Sequence, residues 1–123
     1  MNNKPTETKY DLEERTFQFA KGIRLWINSL PKSLTITEDS KQLIRSSGSI
    51  GANYIESNEA LSKKDFSFRI KICVKEAKET VYWLRLLLET NNKVVEINDA
   101  NMLLQEAIEL KKIFAAISSK TGR

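Results

Sequence analysis

Histidine is absent from the sequence. Its absence excludes every Ser-His or Cys-His catalytic pair, removes the commonest general acid and base, and leaves no zinc site of the Cys/His type. It also excludes the Glu-x-x-His motif of carboxylate-bridged metal sites in helical bundles. Cys73 is the single cysteine, so no disulfide can form within one chain. Flanked by Ile70, Ile72 and Val74, it is expected to be a buried, inert thiol. Only two prolines (Pro5 and Pro31) and four glycines occur, which favours long helices over a strand-and-turn fold. No apolar run reaches membrane-spanning length, and "MNNKPTETKYDLEER" lacks the apolar core of a signal peptide. We expect a soluble cytoplasmic protein with no membrane partner. No cofactor motif, metal-ligand set or catalytic constellation is present, and no enzyme is expected.

What is present suits one globular domain. The 123 residues are 41% hydrophobic and 29% charged, with a net charge of +4 that permits nucleic-acid binding without demanding it. Residues 1–10 read as a disordered or fraying arm, 11–119 as the folded domain and 120–123 as a tail. From Asp11, acidic residues in a first turn precede a stripe of Thr16, Ala20, Ile23, Ile27 and Leu30, flanked by Phe17 and Trp26. Pro31 stops this helix, and Thr37 or Asp39 is expected to cap a second one over about Asp39–Ser57. Ser62 and Asp65 resemble a capping box before a long third helix through Phe66, Ile70, Cys73, Ala77, Val81, Leu84 and Leu88, ended by "TNNK". A fourth spans about Glu96–Ser118 along Ala100, Leu103, Leu104, Ala107, Leu110, Phe114 and Ile117. Four amphipathic helices with short connections imply an all-α, antiparallel up-down-up-down four-helix bundle.

The stretch "QLIRSSGSIGANYIES" (42–57) crowds Ser46, Ser47, Gly48, Ser49, Gly51 and Ala52 between Leu43 and Tyr54. It lacks the G-x-x-x-x-G-K-[ST] pattern of a phosphate loop. As a loop it would expose Leu43, Ile44, Ile50, Tyr54 and Ile55. Each interior glycine costs a helix about 1 kcal/mol, so small residues here imply a thin helix that a neighbouring backbone approaches closely. Arg45, Ser49, Asn53 and Glu56 form a polar stripe on it. The stripe is either a solvated face or a hydrogen-bonded network in which Arg45 meets Glu76 or Glu79.

On the third helix, Lys64, Lys71, Lys78 and Arg85 recur every seven residues with Lys75 beside them, which makes one lengthwise basic stripe. It suits either phosphate neutralisation or a solvated face with Lys75 paired to Glu79 and Lys71 to Glu76. No aromatic residue is read as interleaved with it, so stacking on unpaired bases is not expected. Trp26, Tyr82 and Trp83 read as core or subunit contacts, and the pairs Glu76/Glu79 and Glu106/Glu109 as carboxylates sharing helix faces. Phe17, Phe19 and Trp26, with Ile72, Trp83, Leu86 and Leu87, exceed one apolar stripe per helix, and this excess implies a homo-oligomer.

"FAKGIRLWINSLP", "QLIRSSGSIGANYIES" and "KKDFSFRIKICVKEAKETVYWLRLLLE", in that order and spacing, resemble the four-helix-bundle family encoded in intervening sequences of bacterial 23S rRNA genes. The resemblance covers roughly residues 12–118, with Glu56-Ser57 standing where the family commonly has Glu-Gly. It implies a left-handed bundle that assembles into rings, pentamers among them, and no established activity. It also implies kinship with the basic, pentameric, nucleic-acid-binding accessory proteins of diversity-generating retroelements. Two functions follow as expectations: an oligomeric bundle binding RNA or DNA, or a structural or protein-interaction module. Candidate nucleic-acid residues are Lys64, Lys71, Lys75, Lys78 and Arg85. Candidate packing residues are Arg45, Ser47, Ser49, Gly51, Asn53, Glu56, Glu76, Glu79 and Trp83.

Overall fold

The computed structural model describes residues 9–93 and 97–121. These form four α-helices: α1 (Lys9–Asn28), α2 (Leu34–Asn58), α3 (Lys63–Thr90) and α4 (Ile97–Thr121). Among the described residues there is no strand, and no helix is long and apolar enough to cross a membrane. The helix α1 begins within the segment read as an arm, and α4 continues through Lys120 into the segment read as a tail. Residues 1–8, residues 94–96 with the expected helix start at Glu96, and residues 122–123 lie outside the described residues.

The largest departure from the sequence reading is the start of α2. Ser33, not Thr37 or Asp39, is the N-cap: its backbone is extended and its hydroxyl accepts a 3.2 Å bond from the Ile36 amide. The physical reason is burial. Starting at Leu34 adds Ile36 to the buried row Ser40, Leu43, Ser47, Ile50, Tyr54 and Ser57, which continues the four-three spacing backwards by one step. The N-cap half of the expected α3 capping box forms, with Ser62 Oγ accepting from the Asp65 amide at 3.0 Å. At its far end the Asn91 side chain donates to the Leu87 carbonyl at 3.0 Å. Glycine is not needed after Glu56. Among the described residues none has positive φ, and Ser57 is buried with its hydroxyl donating 2.7 Å to the Tyr54 carbonyl.

Side-chain pairs give the topology. Between α1 and α2, Glu13 meets Asn58 while Arg24 meets Ile44. Between α2 and α3, Arg45 meets Glu79 while Asn53 meets Arg69. Residue numbers rise on one helix as they fall on the other, so both pairs are antiparallel. Arg15 to Glu106 joins α1 to α4 and closes the bundle. Among the described residues α1 packs on α2 and α4, and α3 packs on α2 and α4, so α1 and α3 are diagonal.

The α1 stripe differs from the sequence reading by a small rotation. Leu12, Thr16, Phe19, Ile23 and Trp26 are buried, and Phe17 is 60% exposed. Phe19, Trp26 and, on α3, Leu87 therefore belong to the monomer core rather than to an apolar surplus. Phe114, fully buried, meets Tyr54 edge-on across the core at 5.4 Å between ring centroids.

Candidate nucleic-acid interface

The thin helix α2 is approached from two sides. On one, Gly51 faces α1 so closely that a Cβ there would lie 2.8 Å from Thr16 Oγ1 and 3.1 Å from Thr16 Cβ. Gly48 lies under the Arg24 guanidinium, which donates to the Ile44 carbonyl at 3.0 Å and reaches Ser47 Oγ at 3.5 Å. On the other side, Thr80 Oγ1 of α3 donates 2.9 Å to Ser46 Oγ. Small side chains let both neighbours sit against the backbone of α2.

The polar stripe of α2 divides into separate arrangements. Arg45 donates to Glu79 at 2.6 Å and to the buried Glu76 at 3.4 Å. Ser49, through its hydroxyl and carbonyl, accepts from Asn53 Nδ2 at 2.9 Å, while Asn53 Oδ1 accepts from Arg69 at 3.0 Å. Glu56 stands exposed. Arg15, Arg24 and Arg69 are joining residues that the sequence reading passed over. Their partners lie on other helices, far away in sequence, so no local spacing signals them. Arg15 grips Glu106 with two bonds of 2.7 and 2.9 Å, and Glu109 instead faces Lys112.

Cys73 is fully buried, and its Sγ donates to the Ile50 carbonyl at 3.4 Å. Burial pushes its pKa up from 9.0 to about 12, with the Glu76 charge adding to the rise against the lowering effect of a backbone hydrogen bond. In the native state at pH 8 the thiol is expected to resist a thiol-specific reagent and to react fully once the chain is unfolded; rapid native labelling would contradict this. In the window from 9.0 to about 12 the unfolded chain releases this proton and the folded chain keeps it. The stabilising contribution is thus present below that window and lost as pH rises through it.

The outer face of α3 is the most regular feature of the surface. Between its first and last turns, the exposed residues are Phe68, Lys71, Lys75, Lys78, Tyr82, Arg85 and Glu89, at alternating spacings of three and four. With Lys64, they occupy an arc of about 100° on a helix advancing 100° per residue. Two corrections follow. The pairings of Lys75 with Glu79 and Lys71 with Glu76 do not form, because Arg45 takes both carboxylates. Among the described residues, Lys64, Lys71, Lys75 and Lys78 make no ion pair, while Arg85 faces Glu89 at 3.3 Å. Aromatic residues, moreover, are interleaved with the basic stripe. Phe68 is 57% and Tyr82 59% exposed, in register with the lysines. The sequence reading followed only the seven-residue repeat of the charges and missed the four-residue step that carries the rings. Trp83 is half-buried against the core and touches Tyr82 edge-on at 4.9 Å.

The chain matches the family model of the 23S rRNA-intervening sequence protein over residues 8–116. None of the curated proteins is similar enough to match. A crystal structure from Bacteroides thetaiotaomicron, of a protein with unknown function from the S23 ribosomal protein family, is 31% identical with a TM-score of 0.73. The similarity spans 87% of this chain and 97% of that one. With a family match across nearly all of the bundle and a solved relative of the same architecture, this chain belongs to the 23S rRNA-intervening sequence protein family.

Proposed function

We propose that this protein is a non-enzymatic, homo-oligomeric bundle that binds RNA or DNA through the outer face of α3. The observation that carries the reading is the row of Lys64, Lys71, Lys75 and Lys78, exposed and free of ion pairs among the described residues. Among the described residues no carboxylate pairs with these ammonium groups, so the phosphates of a nucleic acid are their natural counter-charge. Binding that neutralises phosphates releases counterions, so affinity for unrelated RNA and DNA sequences should fall steeply and similarly as salt rises. A protein that retains no nucleic acid at low ionic strength would refute this reading.

The groove between α1 and α4 supports self-association. Gly22, Leu25, Trp26, Met102 and Leu103 line an apolar groove of about 410 Å³ between α1 and α4. Leu25 and Met102 are exposed there, and the buried Trp26 Nε1 has no hydrogen-bond partner among the described residues. Docking a second copy would bury apolar surface and offer that donor a partner. Placed on α1 and α4, such contacts leave α3 facing outward in a ring, a pentamer by the family resemblance. Light scattering at micromolar concentration is expected to give an oligomer, and Leu25→Glu with Met102→Glu to give a monomer; a monomeric wild-type protein would remove the oligomer from the proposal. The same exposed apolar residues favour a second reading, a protein-interaction module that binds no nucleic acid.

A further inference from the structure

We infer that the outer face of α3 is a platform for single-stranded nucleic acid, on which unpaired bases stack against Phe68 and Tyr82 while Lys71, Lys75 and Lys78 hold the phosphates between them. The inference rests on the nucleic-acid reading above and adds to it a class of ligand. Phe68 and Tyr82 are each more than half exposed and stand in register with the lysines of one charged stripe, and it is this juxtaposition of rings and cations that points to a ligand. They lie fourteen positions apart, about 21 Å along the helix, and every exposed residue between them is a lysine. The chemistry alternates as a single strand does, with flat apolar bases and anionic linkages along one line. Tyr82 is held at its edge by Trp83, with ring planes at 84°, and still stands open to solvent. Its ring is thus oriented before any base arrives.

Duplex nucleic acid fits this face less well. Its bases are stacked on one another and present edges rather than faces to a protein, so the rings would meet backbone. A second copy of α3 fits no better, since docking this stripe on itself would set lysines against lysines. Single strands use both halves of the face.

The test uses the full oligomeric chain and fluorescence anisotropy, with one labelled strand offered alone and annealed to its complement. The wild-type protein should prefer the single strand by roughly tenfold or more. The Phe68→Ala/Tyr82→Ala variant should lose that preference while keeping its duplex affinity and its salt slope, since stacking releases no counterions. Alanine at exposed helical positions keeps the helix, which circular dichroism would verify, and Tyr82→Phe should retain the preference because the ring remains. Equal wild-type affinity for both forms, with a steep salt dependence, would overturn the platform and leave the phosphate-binding reading intact. Binding to neither form would overturn both. A double variant that keeps the preference, or that changes oligomeric state because the rings are subunit contacts, would also overturn it.

Discussion

Replacing Gly51 with leucine is expected to destabilise the bundle by about 3 kcal/mol, a fall in thermal midpoint of about 10 °C. A single added carbon already falls 2.8 Å from Thr16 Oγ1 and 3.1 Å from Thr16 Cβ, and leucine adds three more. Thr16 has little freedom to withdraw. It is buried, its hydroxyl lies 3.0 and 2.9 Å from the carbonyls of Leu12 and Glu13, and its own backbone carbon is 3.7 Å from the added atom. Relief therefore requires α1 to move away from α2, and with it the rows that bury Ile23 and Ile50. The helix-propensity gain of about 1 kcal/mol is too small to compensate. Gly48→Ala is the internal control. There the nearest atom is the tip of Arg24, 2.9 Å away, which can swing aside at the cost of its bond to Ile44. That loss and the propensity gain should cancel to within about 1 kcal/mol. Equal stability of Gly51→Leu and wild type under thermal denaturation would mean that the close approach of α1 and α2 is absent in solution.

The triple replacement Lys71→Gln, Lys75→Gln and Lys78→Gln is expected to flatten the salt dependence of nucleic-acid binding. If all four unpaired lysines contact phosphates, the slope of log affinity against log salt is about −3.6 per subunit on duplex DNA, and one remaining lysine gives about −0.9. A fourfold rise in salt would then weaken the wild-type protein about 150-fold and the variant only about fourfold. Glutamine has nearly the helix propensity of lysine, and these side chains are exposed, so the fold should be unaffected. Arg85→Gln should add little, because Glu89 already faces that guanidinium at 3.3 Å. A variant that stays folded and oligomeric and keeps the wild-type slope would move the phosphate contact off α3.

Much of the fold was legible in the sequence. The row Leu43, Ser47, Ile50 and Tyr54 lies at the spacings that define a helical face, and all four are buried. Ser62 capped α3 as its pattern implied, because the cap is a bond between residues three apart and needs no tertiary partner. The start of α2 was less local: Ser33, Thr37 and Asp39 can each cap a helix in isolation. What selected Ser33 was the core, which gained Ile36 by the longer helix. The rotation of α1 that buries Phe19 and Trp26 and exposes Phe17 has the same origin, since adjacent residues in an amphipathic helix compete for one interface.

For the interface, the sequence by itself determined the seven-residue spacing of the lysines, the absence of histidine chemistry and the small residues that make α2 thin. Tertiary structure decided the rest. Whether Glu76 and Glu79 neutralise lysines on their own helix or an arginine on the next depends on the distance between helices. Here α2 comes close enough for Arg45 to reach both carboxylates, leaving Lys71 and Lys75 without an ion pair among the described residues. Likewise, Phe68 and Tyr82 share the helical angle of the lysines in the sequence, but only the placement of α2 and α4 on the opposite faces of α3 shows that this angle is the one left open to solvent. Periodicity fixes which residues share a face, and packing fixes which face is covered.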